Sequence, residues 1–536
     1  MALAVAAIVL LPLIAITFVA FNGLGKTEFA ALTLLIPALF DTIILTTGVL
    51  GLSMIVGLGT GWLVASYRFP GRDILSWALV LPFAIPTYIA AYAAVEAMDY
   101  FGPLQSLLRE IFGWKSRNDY WFPDVRSYAG AISITALVLY PYVYVASRAA
   151  FTMQGASLMD AARSLGCSRR EALLKVVLPV TWPMLVAGGT LVLLETLGDI
   201  GASQYLGLNT LTVAIFNTWL SKGNLPGAAQ IALLATACVF GLLWLERGLR
   251  NNPHYVMASR QYRPVSPPRL TGWRAIGAML LAAMPVCFGF ILPVGVLLRT
   301  ALRQITSEGL STEMLAALGN TLTVATLATV IILVLALLLA FARRFTRHRS
   351  GHVLVRISAI GYALPGTVLV IGLLPVLGLL DRLVNDLVIG LGGQRIGLLL
   401  SGSLLAIVLA YVIRFLAVGL EQAETGLASL SRNVDFAAQT LGAGEKPLAW
   451  SILTPPLRPV LSGAGVMVFV ECLKELPATL LLRPLNFETL ATQLYGHAAR
   501  GSFEDGALAA VLIVASGLLP LIVMNRLMEQ NARGQG

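Results

Sequence analysis

Asp160-Ala161-Ala162-Arg163-Ser164-Leu165-Gly166 and, 276 residues further on, Phe436-Ala437-Ala438-Gln439-Thr440-Leu441-Gly442 are two versions of one pattern. Each is followed at the same remove by a proline, Pro179 and Pro455. At the same offset Pro183 matches Pro459, Glu195 matches Glu471, and Asp199 matches Glu475. Upstream, at an offset of 279, Thr42 matches Thr321 and Pro86 matches Pro365. Polar, Gly and Pro positions recurring in register through an apolar chain mark a duplication, and a duplication constrains the architecture.

The background is strongly apolar. Hydrophobic residues make up 57% of the 536 and charged residues 12%, with a mean hydropathy of +0.81. A soluble domain of this size needs more charge to cover its surface. Apolar stretches of about 20 residues, long enough for a helix to cross roughly 30 Å of hydrocarbon, recur throughout. They lie at 1–21, 40–65, 74–95, 128–148, 183–202, 225–246, 275–298, 317–342, 354–380, 397–420, 459–482 and 506–528. The expected fold is an all-α polytopic membrane protein of about 12 transmembrane helices in two six-helix halves. Six is even, so the halves run parallel, related by a pseudo-two-fold axis along the membrane normal, with a pathway between them. The first half is expected at 1–247 and the second at 274–536, joined by a polar, proline-containing linker at 248–273. The paired loops fall at about 155–180 and 430–456. The first span lacks a basic leader and a clear cleavage site, so it reads as a retained helix rather than a signal peptide.

Net charge is +10. In a soluble chain that suggests nucleic acid. Here Arg68 and Arg72, then Arg163, Arg169, Arg170 and Lys175, then the run Arg343–Arg349, all flank spans on alternate loops. The opposite loops are balanced, as in 96–127. The asymmetry places the even-numbered loops and both termini in the cytoplasm, with lipid rather than nucleic acid as partner. Cys167, Cys238, Cys287 and Cys472 show no ligand spacing. His348 and His352 lie in the basic loop and read as part of it, so no metal site is assigned.

The paired loops have a local physical reading. Gly166 can end a helix in a left-handed turn. Ser168-Arg169-Arg170-Glu171 has capping-box spacing and can start another. Small alanines let a partner approach closely. The product is a helix–turn–helix able to dock on a soluble protein; the alternative is an ordinary amphipathic connector.

The fifth and eleventh spans carry Glu195 and Asp199, and Glu471, Lys474 and Glu475. Residues four apart share a helix face. A charge near the bilayer centre costs about 2.5–3.5 kcal/mol on insertion scales, so these carboxylates should face the interface between halves. Hard oxygen ligands suit a hard cation, and Glu195, Asp199, Glu471 and Glu475 are expected to line a cation route. The alternative is that Glu–Arg or Glu–backbone contacts pin a broken helix.

The loop at Asp160-Ala161-Ala162 with Gly166, and its second copy Ala437-Ala438 with Gly442, resembles the EAA loop of ABC importer permeases; in the second copy the acidic position is displaced to Asp435. Pro86-Thr87-Tyr88-Ile89-Ala90-Ala91-Tyr92, Glu195-Thr196-Leu197-Gly198-Asp199 and Lys474-Glu475-Leu476-Pro477-Ala478-Thr479 resemble fused permeases of the ferric iron importer family. The resemblance implies the type I importer permease fold. It also implies a periplasmic solute-binding protein delivering Fe(III), and two copies of a cytoplasmic ABC ATPase that hold the ATP and Mg²⁺, with no cofactor in this chain. The EAA loops would convert ATPase closure into alternating access. Relatives of that family handle thiamine, phosphonates, polyamines, sulfate or molybdate. The sequence shows no Walker lysine motif, nucleophile elbow or metalloprotease helix, so it is read as no enzyme. A secondary transporter is the rival reading, and it gives the paired loops no role.

Overall fold

The computed structural model describes residues 2–23, 30–152, 159, 162–250, 268–346, 349–502 and 504–518. The first half contains α1 (Ala2–Asn22), α2 (Ala30–Ser66), α3 (Arg72–Ala78), α4 (Thr87–Met98), α5 (Pro103–Phe112) and α6 (Tyr128–Ala150). It continues with α7 (Arg170–Gly198), α8 (Gly201–Tyr205), α9 (Leu211–Leu220) and α10 (Leu225–Arg250). The second half contains α11 (Gly272–Ser307), α12 (Thr312–Phe345), α13 (Arg349–Ser358), α14 (Gly366–Gly390) and α15 (Leu404–Ser429). After these come α16 (Arg432–Thr440), α17 (Glu445–Leu473), α18 (Pro477–Leu482), α19 (Leu490–Arg500) and α20 over 504–518. Among the described residues ten helices are long and apolar enough to cross a membrane, and a bent pair makes an eleventh. The expected twelfth span, 506–528, begins in α20; its remainder, Asp160 and Ala161, most of the 248–273 linker, and His348 lie outside the described residues.

Proline breaks the third span and sets where the ninth begins. Hydropathy places them at 74–95 and 354–380. The ninth is instead Gly366–Gly390, and the third is a bent pair in which Arg72–Ala84 meets Thr87–Phe112 at 97°. Thr87 and Gly366 open matching helices. Each starts directly after a proline, Pro86 or Pro365. The residues before them, Ile85 (φ −99°, ψ 118°) and Leu364 (φ −81°, ψ 129°), are extended, because a following proline ring crowds the helical region. A 3₁₀ turn precedes each break, Leu81–Ala84 and Ile360–Ala363. The fifth and eleventh spans also contain a π-helical turn, Leu173–Val177 and Leu448–Leu453, as does the seventh at Cys287–Ile291. All three end two residues before a proline: Pro179, Pro293 and Pro455. A proline ring collides with the carbonyl four residues back, and widening the turn relieves it.

The duplication is visible in individual hydrogen bonds. Leu211 N–H donates to Thr42 Oγ1 at 2.9 Å, and Leu490 N–H to Thr321 Oγ1 at 2.8 Å. Ser127 caps α6 through Gly130 N–H, and Ser403 caps α15 through Ala406 N–H.

The packing unit is not the sequence half. α1 packs on α13 and α14 of the second half, and α10 also packs on α14. Ile16 and Ala20 of α1 share one buried cluster with Ala228–Ala235 residues of α10 and with Val368 and Ile371 of α14. Reciprocally, Leu297 of α11 and Ala507–Val514 residues of α20 share a cluster with Ile89–Val95 residues of α4. Each half thus lends its outer helices to the other. In lipid, association rests on close van der Waals fit rather than on water exclusion. Small residues supply it: a Cβ on Gly289 of α11 would lie 2.6 Å from the Leu137 carbonyl oxygen, and one on Gly372 of α14 would collide with the Pro12 backbone of α1.

Candidate functional site

Both paired loops end a helix in the same way. Gly166 has φ 89° and Gly442 φ 83°. Gly166 N–H donates to Arg163 O at 3.0 Å and Cys167 N–H to Ala162 O at 3.1 Å. The second copy repeats this, with Gly442 N–H to Gln439 O at 3.0 Å and Ala443 N–H to Ala438 O at 2.9 Å. This is the Schellman arrangement, which needs a residue tolerant of the left-handed region. In the first loop, Glu171 N–H donates to Ser168 Oγ at 3.3 Å and Ser168 N–H to Glu171 Oε2 at 3.1 Å, closing the capping box. Ala162 and Ala438 are buried, Ala437 and Gly442 exposed. At the two tips, Leu165 and Leu441 are 86% and 88% exposed. Paired exposed leucines on rigid turns suit a groove on another protein. The second loop is tied to α12. Arg344 Nε and Nη2 donate to Asp435 Oδ2 and Oδ1 at 2.8 and 2.9 Å, a bidentate fork, and Arg344 also reaches the Leu427 and Leu430 carbonyls.

The four acidic span residues line one cavity of about 100 Å³ between the halves. Tyr142 and Arg414, near the middles of α6 and α15, lie in its wall, so it sits at mid-height of the bundle. The pairs do not share a helix face. α7 ends at Gly198, and Asp199 is extended (φ −76°, ψ 126°); α17 ends at Leu473, ahead of Glu475. The break lets each carboxylate cap the short helix that follows. Asp199 accepts from Ser203 N–H at 2.9 Å, Ala202 N–H at 3.4 Å and Thr87 Oγ1 at 2.7 Å. Glu475 accepts from Ala478 N–H at 3.0 Å and from Arg414 Nη1 at 3.0 Å. These bonds tie Asp199 and Glu475 to the helix starts that follow each break.

Glu195 and Glu471 are placed differently. Glu471 pairs with Lys474 Nζ at 2.7 Å. Glu195 accepts from Tyr362 OH at 3.2 Å and Tyr142 OH at 3.4 Å, and makes no ion pair among the described residues. Among the described lining residues, four acidic side chains face two basic ones. Both cations come from the second half: Arg414 replaces Val138 and Lys474 replaces Gly198 at the 276 offset. Sequence reasoning passed over Arg414, although an arginine inside Tyr411-Val412-Ile413-Arg414-Phe415 is an intramembrane charge of the kind that marks a pathway. Tyr142, Tyr362 and Thr87 carried no comparable signal.

Comparison with known proteins fits this architecture. The family described as "Binding-protein-dependent transport system inner membrane component" matches residues 57–250. The Fe(3+)-transport system permease protein of Haemophilus influenzae is 24% identical, over 88% of this chain and 86% of its own length. The molybdenum transport system permease protein of Escherichia coli is 27% identical over 36% of this chain and 86% of its own. A probable sulfate transport system permease protein of Chlorella vulgaris is 30% identical over 36% of this chain and 71% of its own. These relatives are transport components, not enzymes. The chain belongs to the family of binding-protein-dependent transport system inner membrane components, the membrane-spanning permeases of ABC importers.

Proposed function

We propose that this chain moves ferric iron from a periplasmic binding protein to the cytoplasm, by alternating access between halves 1–247 and 274–536. The carrying observation is the mid-height cavity, in which the first half contributes carboxylates and no cation. Carboxylate and phenol oxygens are hard donors suited to a hard cation. The length of the match adds support: the relative named for Fe(3+) matches through both halves, whereas those named for molybdenum and sulfate match about one half. In this reading both termini and the 248–273 linker are cytoplasmic. Two copies of an ABC ATPase, which bind the ATP and Mg²⁺, receive the paired loops. The turns at Gly166 and Gly442 present Leu165 and Leu441, with the exposed Ala437 beside the second, while the buried Ala162 and Ala438 seat the loops on the rest of the chain; Asp160 and Ala161 belong to the same loop by sequence. Glu195 and Glu471 line the route, and Asp199 and Glu475 hold its broken helices in place.

Arg414 and Lys474 favour a second reading, an oxyanion cargo. Both are already engaged by carboxylates at 3.0 and 2.7 Å, which weighs against it. Reconstitution with the cognate ATPase and binding protein separates the two. ATP-dependent uptake of radiolabelled Fe(III) without uptake of molybdate or sulfate is the expected result. Oxyanion uptake without Fe(III) uptake would overturn the iron assignment.

A further inference from the structure

The two cation–carboxylate pairs in the cavity are not equivalent. Arg414 and Glu475 form a fixed pair, with side chains 14% and 4% exposed. Glu475 also caps α18, and any Cβ on Gly366 would strike the Arg414 guanidinium, so the pair is wedged in place. Lys474 and Glu471 are more open, at 23% and 27%. Lys474 sits at the C-terminal end of α17 (φ −93°, ψ 0°), in the break before α18, where a small backbone change swings its side chain. Its repeat counterpart is Gly198, so the matched glutamates Glu195 and Glu471 have one such ammonium between them, paired with Glu471. An independent observation shows polar capacity left over. Tyr88 lines the same cavity, is 8% exposed, and has a buried hydroxyl with no hydrogen-bond partner among the described residues.

We propose that the Lys474 ammonium is a tethered stand-in for the cargo cation. It neutralises the Glu195–Glu471 face while the pathway is empty, and a hard multivalent cation displaces it during passage. This rests on the cation-import reading and adds to it a gate against monovalent leakage: a monovalent ion gains little by exchanging with an ammonium already in place, whereas each further unit of cargo charge strengthens the attraction. Oxygen donors from Glu195, Glu471, Tyr142, Tyr362 and Tyr88 would replace part of the cargo's lost hydration.

The test is Tb(III) binding to the purified full-length chain, read by luminescence sensitised through the cavity tyrosines. Lys474→Gln should bind Tb(III) at least about tenfold more tightly than wild type, and Glu471→Gln/Lys474→Gln should return to near wild type. Should Lys474→Gln fail to accumulate, Glu471→Gln reads the same relation in reverse, because it frees Lys474 to face Glu195 and should weaken Tb(III) binding at least about tenfold. Wild-type affinity in Lys474→Gln, or in Glu471→Gln where that is the variant read, overturns the stand-in. If Glu195→Gln still weakens Tb(III) binding in that case, the carboxylate route survives. Loss of molybdate binding in Lys474→Gln, with no Tb(III) binding in any variant, overturns both.

Discussion

At the scale of single residues, the cavity divides labour among chemically similar groups. Asp199 accepts from two backbone N–H groups and the Thr87 and Ser203 hydroxyls, whereas Glu195 accepts from two phenols. Removing the first should therefore harm the fold and neutralising the second should not. Asp199→Ala strands buried donors at Ala202, Ser203 and Thr87, a loss of about 1–3 kcal/mol. Thermal unfolding in detergent should show a lower midpoint for Asp199→Ala and a near wild-type midpoint for Glu195→Gln; equal midpoints would contradict the division. In the 96–127 loop, Asp119 accepts from the Ser116 and Lys115 N–H groups at 2.8 and 2.7 Å, and these bonds hold its carboxyl below the usual range. A depressed folded value means the turn's stabilisation is present above the unfolded value, about 3.9, and is lost as pH falls through the lower folded one. Hydrogen exchange at Ser116 should accelerate only in that acid window. The four carboxylates were legible in the sequence because charge inside a span is rare. Their separation into helix caps and the remaining cavity-lining groups was not, since a four-residue spacing implies one helix face only while the helix continues.

At the scale of elements, the paired turns and their anchors should decide coupling. Gly442→Val forces a branched side chain into φ 83° and should cost about 1–2 kcal/mol locally. Asp435→Ala leaves Arg344 nearly buried without its counter-charge, a loss of about 3–5 kcal/mol in comparable pairs. The expected signature for Asp435→Ala is ATP hydrolysis by the reconstituted complex that persists while uptake falls several-fold. A parallel fall in both would assign the fork to assembly instead. Sequence periodicity located the elements well and their starts less well. The break inside the third span and the later start of the ninth were missed because an apolar window cannot register that Pro86 and Pro365 interrupt the helix before them. The Schellman turns and the capping box were readable because their chemistry is local.

At the scale of the whole molecule, the exchange of outer helices makes the halves interdependent. Two polypeptides divided within 251–267 should copurify when made together, and neither should accumulate alone. Independent accumulation of 1–247 would contradict the packing of α1 and α10 on α14. On α14, Gly372→Leu should weaken this exchange, since its side chain would meet the α1 backbone, with overpacking of about 1–3 kcal/mol. Duplication was legible from the sequence, but the exchange was not, because nothing in an apolar helix records which half it faces. The central claim is that cation passes between the halves along Glu195 and Glu471. Its most direct test is ATP-driven Fe(III) uptake by the complete complex carrying Glu195→Gln and Glu471→Gln, with ATP hydrolysis followed in the same vesicles. The account predicts uptake reduced at least about tenfold while hydrolysis persists. Wild-type uptake at equal protein levels would contradict it.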